Sequence, residues 1–157
     1  MTDDDHEDWV AVTADELPVA EALAWASQPD CGAVVSFCGS VRDESEGRPG
    51  VVKLEYEAYE AYVATKMSDV VRAVRARFPP VRRIALLHRV GVLSVGEVSV
   101  AVVVAAPHRS DAFEAARLCL DMVKATVPIW KRETWAGGSD WAQGSRAIVD
   151  VSDLEIP

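Results

Sequence analysis

The sequence is poor in the features that announce metal, nucleotide or membrane proteins. Its three cysteines, Cys31, Cys38 and Cys119, form no CxxC pair. No His/Asp/Glu cluster has metal-ligand spacing either, so neither a structural nor a catalytic metal is expected. An odd number of scattered cysteines fits reduced thiols in a cytoplasm. Neither GxGxxG nor a Walker A sequence occurs, which removes the commonest nucleotide-binding loops. The longest apolar run, Val98–Ala106 "VSVAVVVAA", is too short to span a bilayer. Positive charge is scarce, with 16 Lys and Arg against 25 Asp and Glu. A net charge of −9 argues against a general nucleic-acid binder, which needs a basic footprint. The acidic N-terminus lacks the basic start and apolar run of a secretory signal.

What remains is an ordinary globular composition, half hydrophobic and a quarter charged, in a length of 157 residues that fits one domain. Much of the acidity is local, because "DDDHED" at residues 3–8 holds five acids. A solvated, frayed terminus over residues 1–8 is expected there. The remainder is mildly acidic and leaves room for a local basic pocket.

Periodicity gives the elements. "WVAVT" suggests a short strand, and "VAEALAWAS" a helix capped by Asp15 and stopped before Pro29. Cys31–Gly39 reads as a largely buried strand, followed by a charged, Gly- and Pro-rich loop. "VVKLEYEAY" alternates like a half-exposed strand. Tyr62, Met67, Val70, Val71, Val74 and Phe78 then make one face of a helix closed by Pro79-Pro80. Two strands follow, the second apolar on both faces and therefore central. The last clear helix, capped at Ser110 or Asp111, has Phe113, Ala116, Leu120, Val123 and Val127 as its buried stripe, and Pro128 stops it. "IWKRETW" is strand-like, and a further strand is possible at "AIVDV". Mixed strands and helices with adjacent antiparallel strands predict an α+β fold.

Three places carry candidate chemistry. His108-Arg109 stands at a helix start, where free N–H groups and the dipole favour an anion. Arg42 stands at the mouth of the long loop. In "VKATVPIWKRE", Val123–Glu133, Lys124 and Lys131 flank the helix stop. Lys124 borders the predicted stripe, and burial would lower its pKa and fit it for proton transfer. Trp130 would face away from Lys131, toward the core. Each place also has a plain reading: a decorated turn, a solvated loop arginine, and lysines that snorkel over apolar surface. Spacing alone leaves these open. Cys38 beside the loop and Cys119 on the helix read as small buried hydrophobes, and His88 as a strand residue with a structural partner.

The motifs "GAVVSFCGSVRDESEG", "LEYEAYEAYVATKM", "IALLHRVGVLSVGEVSVAVVVAAPHRSDAF" and "VKATVPIWKRE", in this order, resemble the large, catalytic subunit of molybdopterin synthase from about Cys31 to Trp135. The resemblance implies a hammerhead-like α+β arrangement with a largely antiparallel sheet. It also implies an enzyme that converts cyclic pyranopterin monophosphate to molybdopterin. Two dithiolene sulfurs arrive as the C-terminal thiocarboxylate of a small ubiquitin-like subunit. The implied assembly is a heterotetramer around a homodimer, with no resident cofactor and no metal. The family's Gly-x-Val-Arg motif falls on Gly39–Arg42, with Ser40 where a lysine is frequent and Val41 beside it. The family's His-Arg pair falls on His108 and Arg109, and its two active-site lysines on Lys124 and Lys131, followed by Arg132 and Glu133. On this reading Arg42, His108 and Arg109 bind the phosphate and the lysines serve sulfur transfer, Lys124 being the more critical. The alternatives are a non-catalytic dimeric module that docks a ubiquitin-like sulfur carrier, and a phosphate-ester enzyme that acts without a protein partner.

Overall fold

Two four-stranded sheets, one two-stranded sheet and three α-helices organise the described residues. The structure, a computed structural model, describes residues 7–45, 48–57, 59–135, 137–141 and 150–156. In order come β1 (Glu7–Thr13), α1 (Val19–Ala26), β2 (Ala33–Ser40), the short β3 (Glu44–Ser45) and β4 (Arg48–Pro49), then β5 (Val51–Glu57). Helix α2 (Glu60–Arg77) leads to β6 (Arg83–Arg89), β7 (Gly91–Ser94) and β8 (Val98–Ala106). Helix α3 (Arg109–Thr126) is followed by β9 (Trp130–Trp135), β10 (Gly138–Trp141) and a 3-10 turn at Val151–Asp153. The α+β expectation holds.

The main sheet has the order β1-β6-β8-β2. Only the β1–β6 pair is parallel. Strand β8 is central as predicted, because both its faces are covered. Val102, Val104 and Ala106 meet α2 and α3, while Ala101, Val103 and Ala105 face the α1 side. This alternation is the period of two that sends successive side chains to opposite faces. Each fully buried Val or Leu contributes roughly 1.5–3 kcal/mol, so such a strand resists displacement. The second sheet, β10-β9-β5-β7, is antiparallel throughout. It buries far less: Val41, Val51, Tyr56 and Leu93, with Ile129 and Trp135 packed against them.

Several local expectations are corrected. Glu7 and Asp8 are not frayed. They begin β1, and Arg75 clamps them by donating to Asp8 Oδ1 (2.7 Å), to the Glu7 carbonyl and to the carbonyls of Val81 and Arg82. Helix α1 starts later than expected, with Pro18 rather than Asp15 at its cap. The Asp15 amide instead bonds Thr13 Oγ1 in a turn. Strand β2 is an edge strand whose Ser36, Phe37 and Cys38 are exposed, since neither helix layer reaches that far along it. On α2 the buried residue of the first turn is Val63, and Tyr62 is exposed. The α3 stripe is rotated from the expected one. Ala112, Ala115, Ala116, Cys119 and Met122 face the sheet, and Phe113 is 62% exposed. Small side chains let this helix lie close to β2 and β8, whereas a phenylalanine there would hold it off. The possible "AIVDV" strand lies mostly outside the described residues, and Val151–Asp153 at its end is a 3-10 turn.

Candidate active site

Pro128 does what its place in the sequence suggests. Helix α3 ends at Thr126, whose hydroxyl bonds back to the Met122 carbonyl (2.7 Å), and Val127 carries the last helical amide bond. Two residues after the proline the chain is already β9, pairing with β5. Lys124 therefore comes from the last helical turn and Lys131 from a strand. The Trp130 side chain, expected to face the core, lies outside the described residues.

The geometry around Lys131 is specific. It is the register partner of Tyr56 across β5 and β9. Its Nζ lies 5.9 Å from the centroid of the Tyr56 ring, within cation–π reach. Lys131 keeps one side open to solvent, yet the protein atoms around its ammonium withdraw water, and this desolvation lowers its pKa. The nearby charge of Lys124 adds to the depression, as does Arg42, while Glu133 opposes it. Those couplings bring Lys124, Lys131, Arg42 and Glu133 into one neighbourhood of a single chain. The desolvated ammonium is that of Lys131, although sequence spacing pointed to Lys124, which is exposed. The cause is the rotation of the α3 stripe, which leaves Lys124 beside buried Val123 with its own side chain outside.

Arg42 is held by its neighbour. Val41 is buried, its amide donates to the Glu97 carbonyl (2.9 Å) and its carbonyl accepts from Gly96 (2.8 Å). Val41 is thus a peg in the small core, not a surface for substrate as its place in the motif implied. Ser40, at the end of β2, is exposed and free to face a ligand.

Two expected members sit elsewhere in the chain. His108 occupies the cap position of α3 and Arg109 its first turn, both exposed. At a rise of about 1.5 Å per residue, the fifteen positions from Arg109 to Lys124 span roughly 22 Å. A single chain does not bring the His-Arg pair to the lysines. Arg132 also departs from expectation. It occupies the opposite face of β9 from Lys131, and its Nε donates to Ser139 Oγ (3.1 Å) on β10. Glu133 does share the lysine's face, but it is 6% exposed and acts as a buried counter-charge rather than a surface ligand.

Beneath Lys131 lie residues that sequence reasoning left outside the candidate site. Tyr56, 5% exposed, stacks edge-on against His88 with centroids 5.4 Å apart. Burial raises the pKa of its hydroxyl, which stays protonated. His88 does have the structural partner expected of it. Its Nδ1–H donates to the Arg89 carbonyl (2.8 Å), and burial lowers its pKa to about 4, so the ring is neutral. The alternation of "VVKLEYEAY" marked Tyr56 as half-buried, which was the one available signal. The cysteines stay outside this chemistry. Burial pushes the Cys119 thiol up to about 12 and raises that of Cys31, the opposite of a reactive thiolate. Cys38, expected to be buried, is exposed with Sγ 3.8 Å from Ser36 Oγ. Among the described residues no group of three His, Cys, Asp or Glu is arranged to hold a metal. Among them, too, no helix is long and apolar enough to cross a membrane.

Comparison with known proteins identifies the family. A family model described as MoaE protein matches residues 12–126. A molybdopterin synthase catalytic subunit of Taeniopygia guttata is 38% identical over 146 residues, 93% of this chain and 94% of its own. One from Nostoc sp. is 42% identical over 85% of this chain and 80% of its own. In fold, the crystal structure of molybdopterin synthase from Staphylococcus aureus matches with a TM-score of 0.80 at 30% identity, covering 87% of this chain and 98% of that one. A complex of subunits 1 and 2 of molybdopterin-converting factor from Helicobacter pylori shares the fold at a TM-score of 0.69 and 22% identity, over 93% of this chain and 96% of that one. With the fold and the length of these matches in agreement, the chain belongs to the MoaE family, whose relatives here are molybdopterin synthase catalytic subunits.

Proposed function

We propose that this chain is the catalytic subunit of a molybdopterin synthase, converting cyclic pyranopterin monophosphate to molybdopterin. The sulfur donor is the C-terminal thiocarboxylate of a small ubiquitin-like subunit, in a heterotetramer built on a pair of these chains. The observation that carries the reading is the desolvated Lys131 ammonium beside Lys124 and Arg42, a cation cluster in a protein of net charge −9. A docking module has no need of a lysine with a lowered pKa, whereas proton transfer does.

Each sulfur is delivered in two steps. The thiocarboxylate sulfur attacks a pterin carbon and forms a C–S bond while a C–O bond of that carbon breaks, its oxygen departing on the opened phosphate ester or as water. Water then adds to the acyl carbon, and the acyl C–S bond breaks, leaving sulfur on the pterin and a carboxylate on the carrier. Negative charge grows on the acyl oxygen during the second step, and a fixed ammonium such as Lys124 stabilises it. Lys131, whose proton is held less tightly than that of an ordinary lysine, moves protons to and from the attacking water. Arg42 anchors the phosphate with a planar, permanently charged fork. His108 and Arg109 belong to the same anion-binding set, and the helix length between them and Lys124 makes the second protomer their source for a given pair of lysines.

Incubating the pure chain with cyclic pyranopterin monophosphate, with and without thiocarboxylated partner, tests the reading through dithiolene formation. Product is expected only with the partner. Turnover of the small molecule alone would favour a phosphate-ester enzyme, and no turnover in either case a docking module. Mixing Lys124→Ala chains with Arg109→Ala chains should restore activity through hybrid pairs. If the pocket were built from one chain, the mixture would stay inactive.

A further inference from the structure

Strand β2 is an edge that the fold leaves open. Among the described residues it pairs with β8 alone, and its sequence, AVVSFCGS, holds neither a charge nor a proline. Edge strands are ordinarily blunted by such residues, because free N–H and C=O groups template another strand. The one irregularity of β2, the register shift at Gly39 and Ser40, comes at its very end. Phe37 is exposed on the face where Ala33 and Val35 pack into the main core.

Helix α3 continues this surface. It lies over β8 and β2, whereas α2 lies over β1 and β6. The flank of α3 turned away from α2 therefore overhangs the open edge. At 3.6 residues per turn, Arg109, Phe113, Leu120 and Lys124 share one flank. Leu118 is on the other, packed into the main core. Phe113 is exposed, and Leu120 is packed into none of the three apolar cores.

The two ends of this surface are the two halves of the site. The Gly32 amide donates to the Pro107 carbonyl (3.2 Å), which ties the start of β2 to the turn that carries His108 and Arg109. The far end of β2 leads through Val41 to Arg42. Helix α3, returning from the end of β8, runs the same way as β2 and has Lys124 in its last turn. At about 3.3 Å per residue, β2 from Ala33 to Ser40 spans roughly 23 Å, which matches the roughly 22 Å from Arg109 to Lys124.

We propose that two copies of this chain join through β2 and the outer flank of α3, antiparallel about a two-fold axis at the middle of both. Such a pairing exchanges ends: His108 and Arg109 of one chain come to Arg42 and Lys124 of the other. It is also closed, because each open edge covers its twin and none is left over. Arg109 and Lys124 are like charges, so their meeting across the axis makes a place that an anionic substrate completes. The proposal deepens the synthase reading and rests on it for the chemistry at the joined ends, while the pairing itself stands on the strand edge and the helix flank.

Two measurements on the isolated 157-residue chain test it. Sedimentation equilibrium should give twice the 17.0 kDa mass of the chain. Phe113→Asp should raise the dimer dissociation constant about thirtyfold or more, the loss of one interface anchor, with the circular dichroism kept. Val92→Asp, at a similarly exposed apolar residue on β7, should leave the dimer intact. A monomeric parent, or a dimer broken at Val92 and not at Phe113, overturns the surface. Orientation is read by cross-linking with a short bismaleimide on a Cys31→Ser, Cys38→Ser background, where the remaining Cys119 is buried. Chains carrying Arg109→Cys and chains carrying Lys124→Cys should link only when mixed, because each end meets the opposite end. Linkage of like to like, or none in a chain that is dimeric, overturns the antiparallel arrangement, and this pair carries the test should Phe113→Asp not fold. A β2 edge that stays free until the small subunit is added would belong to that subunit and overturn the proposal. Both measurements read assembly and not product, so failure of the synthase assignment and failure of this proposal are told apart.

Discussion

The two sheets of this protein are held together in opposite ways. In the main sheet every residue from Ser99 to Ala106 is buried, and two helix layers press on it from either side. In the second sheet a core of four buried residues supports a lysine, a buried glutamate and the strand ends near Arg42. The first region is over-determined by apolar contacts, so losing one costs stability and leaves the others in place. The second is sparsely packed and polar, so its side chains are set by single contacts such as Tyr56 under Lys131. The lesson is a division of labour. Rigid apolar packing fixes the frame, and a thin polar sheet at its margin carries groups whose charge must be tuned.

Substitutions can separate the two regions. The largest effect is expected at the lysines. Lys131→Ala or Lys124→Ala should cut dithiolene formation by about a thousandfold, ~4 kcal/mol of barrier, while the melting temperature stays within a degree or two. A reconstituted assay showing near-normal turnover for either would remove that lysine from the chemistry. In the main sheet the signs reverse. Leu86→Ala, a fully buried leucine on β6, should cost about 3–4 kcal/mol in urea unfolding. Its turnover per folded molecule should be that of the parent, and a comparable loss of both would mean that the regions are coupled.

His88 sits on the border between the two sheets and gives a pH test. Its imidazole is held neutral, with a folded pKa of about 4 against an ordinary 6.5. The unfolded chain therefore takes up a proton first as the pH falls. Stability from this group is complete above about 6.5, declines as the pH drops toward 4, and levels off below that. The loss is on the order of 3 kcal/mol. Unfolding curves of His88→Gln between pH 7 and 4 should be flatter than those of the parent by that amount, and equal slopes would show that the imidazole is not held neutral. The smallest effect belongs to Cys38. Cys38→Ser, on an exposed edge strand, should change stability by less than ~0.5 kcal/mol and leave activity intact. A loss of sulfur transfer with the fold intact would give Cys38 a part in the chemistry.

Much of the frame was legible in the sequence because it rests on strong periodic signals. The Val-rich run had to be a central strand, and Pro79-Pro80 and Pro128 had to end their helices. The buried face of α3 was misread because apolarity ranks Phe113 above Ala112 and Ala115, whereas close packing against a sheet ranks them the other way. That error moved the desolvated lysine from Lys131 to Lys124. The separation of His108-Arg109 from the lysines was readable from helix length alone. The contact of Tyr56 with Lys131 was not, because it depends on the pairing of strands far apart in sequence. Arg132 was assigned by adjacency to Lys131, and in a strand adjacency means the opposite face.

The Arg75 clamp at the head of β1 has a consequence for how the chain is made. Strand β1 leaves the ribosome before the other described strands, yet its only strand partner among the described residues, β6, begins at Arg83. Until α2 and β6 have been synthesised, β1 has neither its ladder nor the arginine that grips Glu7 and Asp8. A strand translated before the rest of its sheet is thus among the late ones to be placed, and it joins a sheet whose other strands can pair without it.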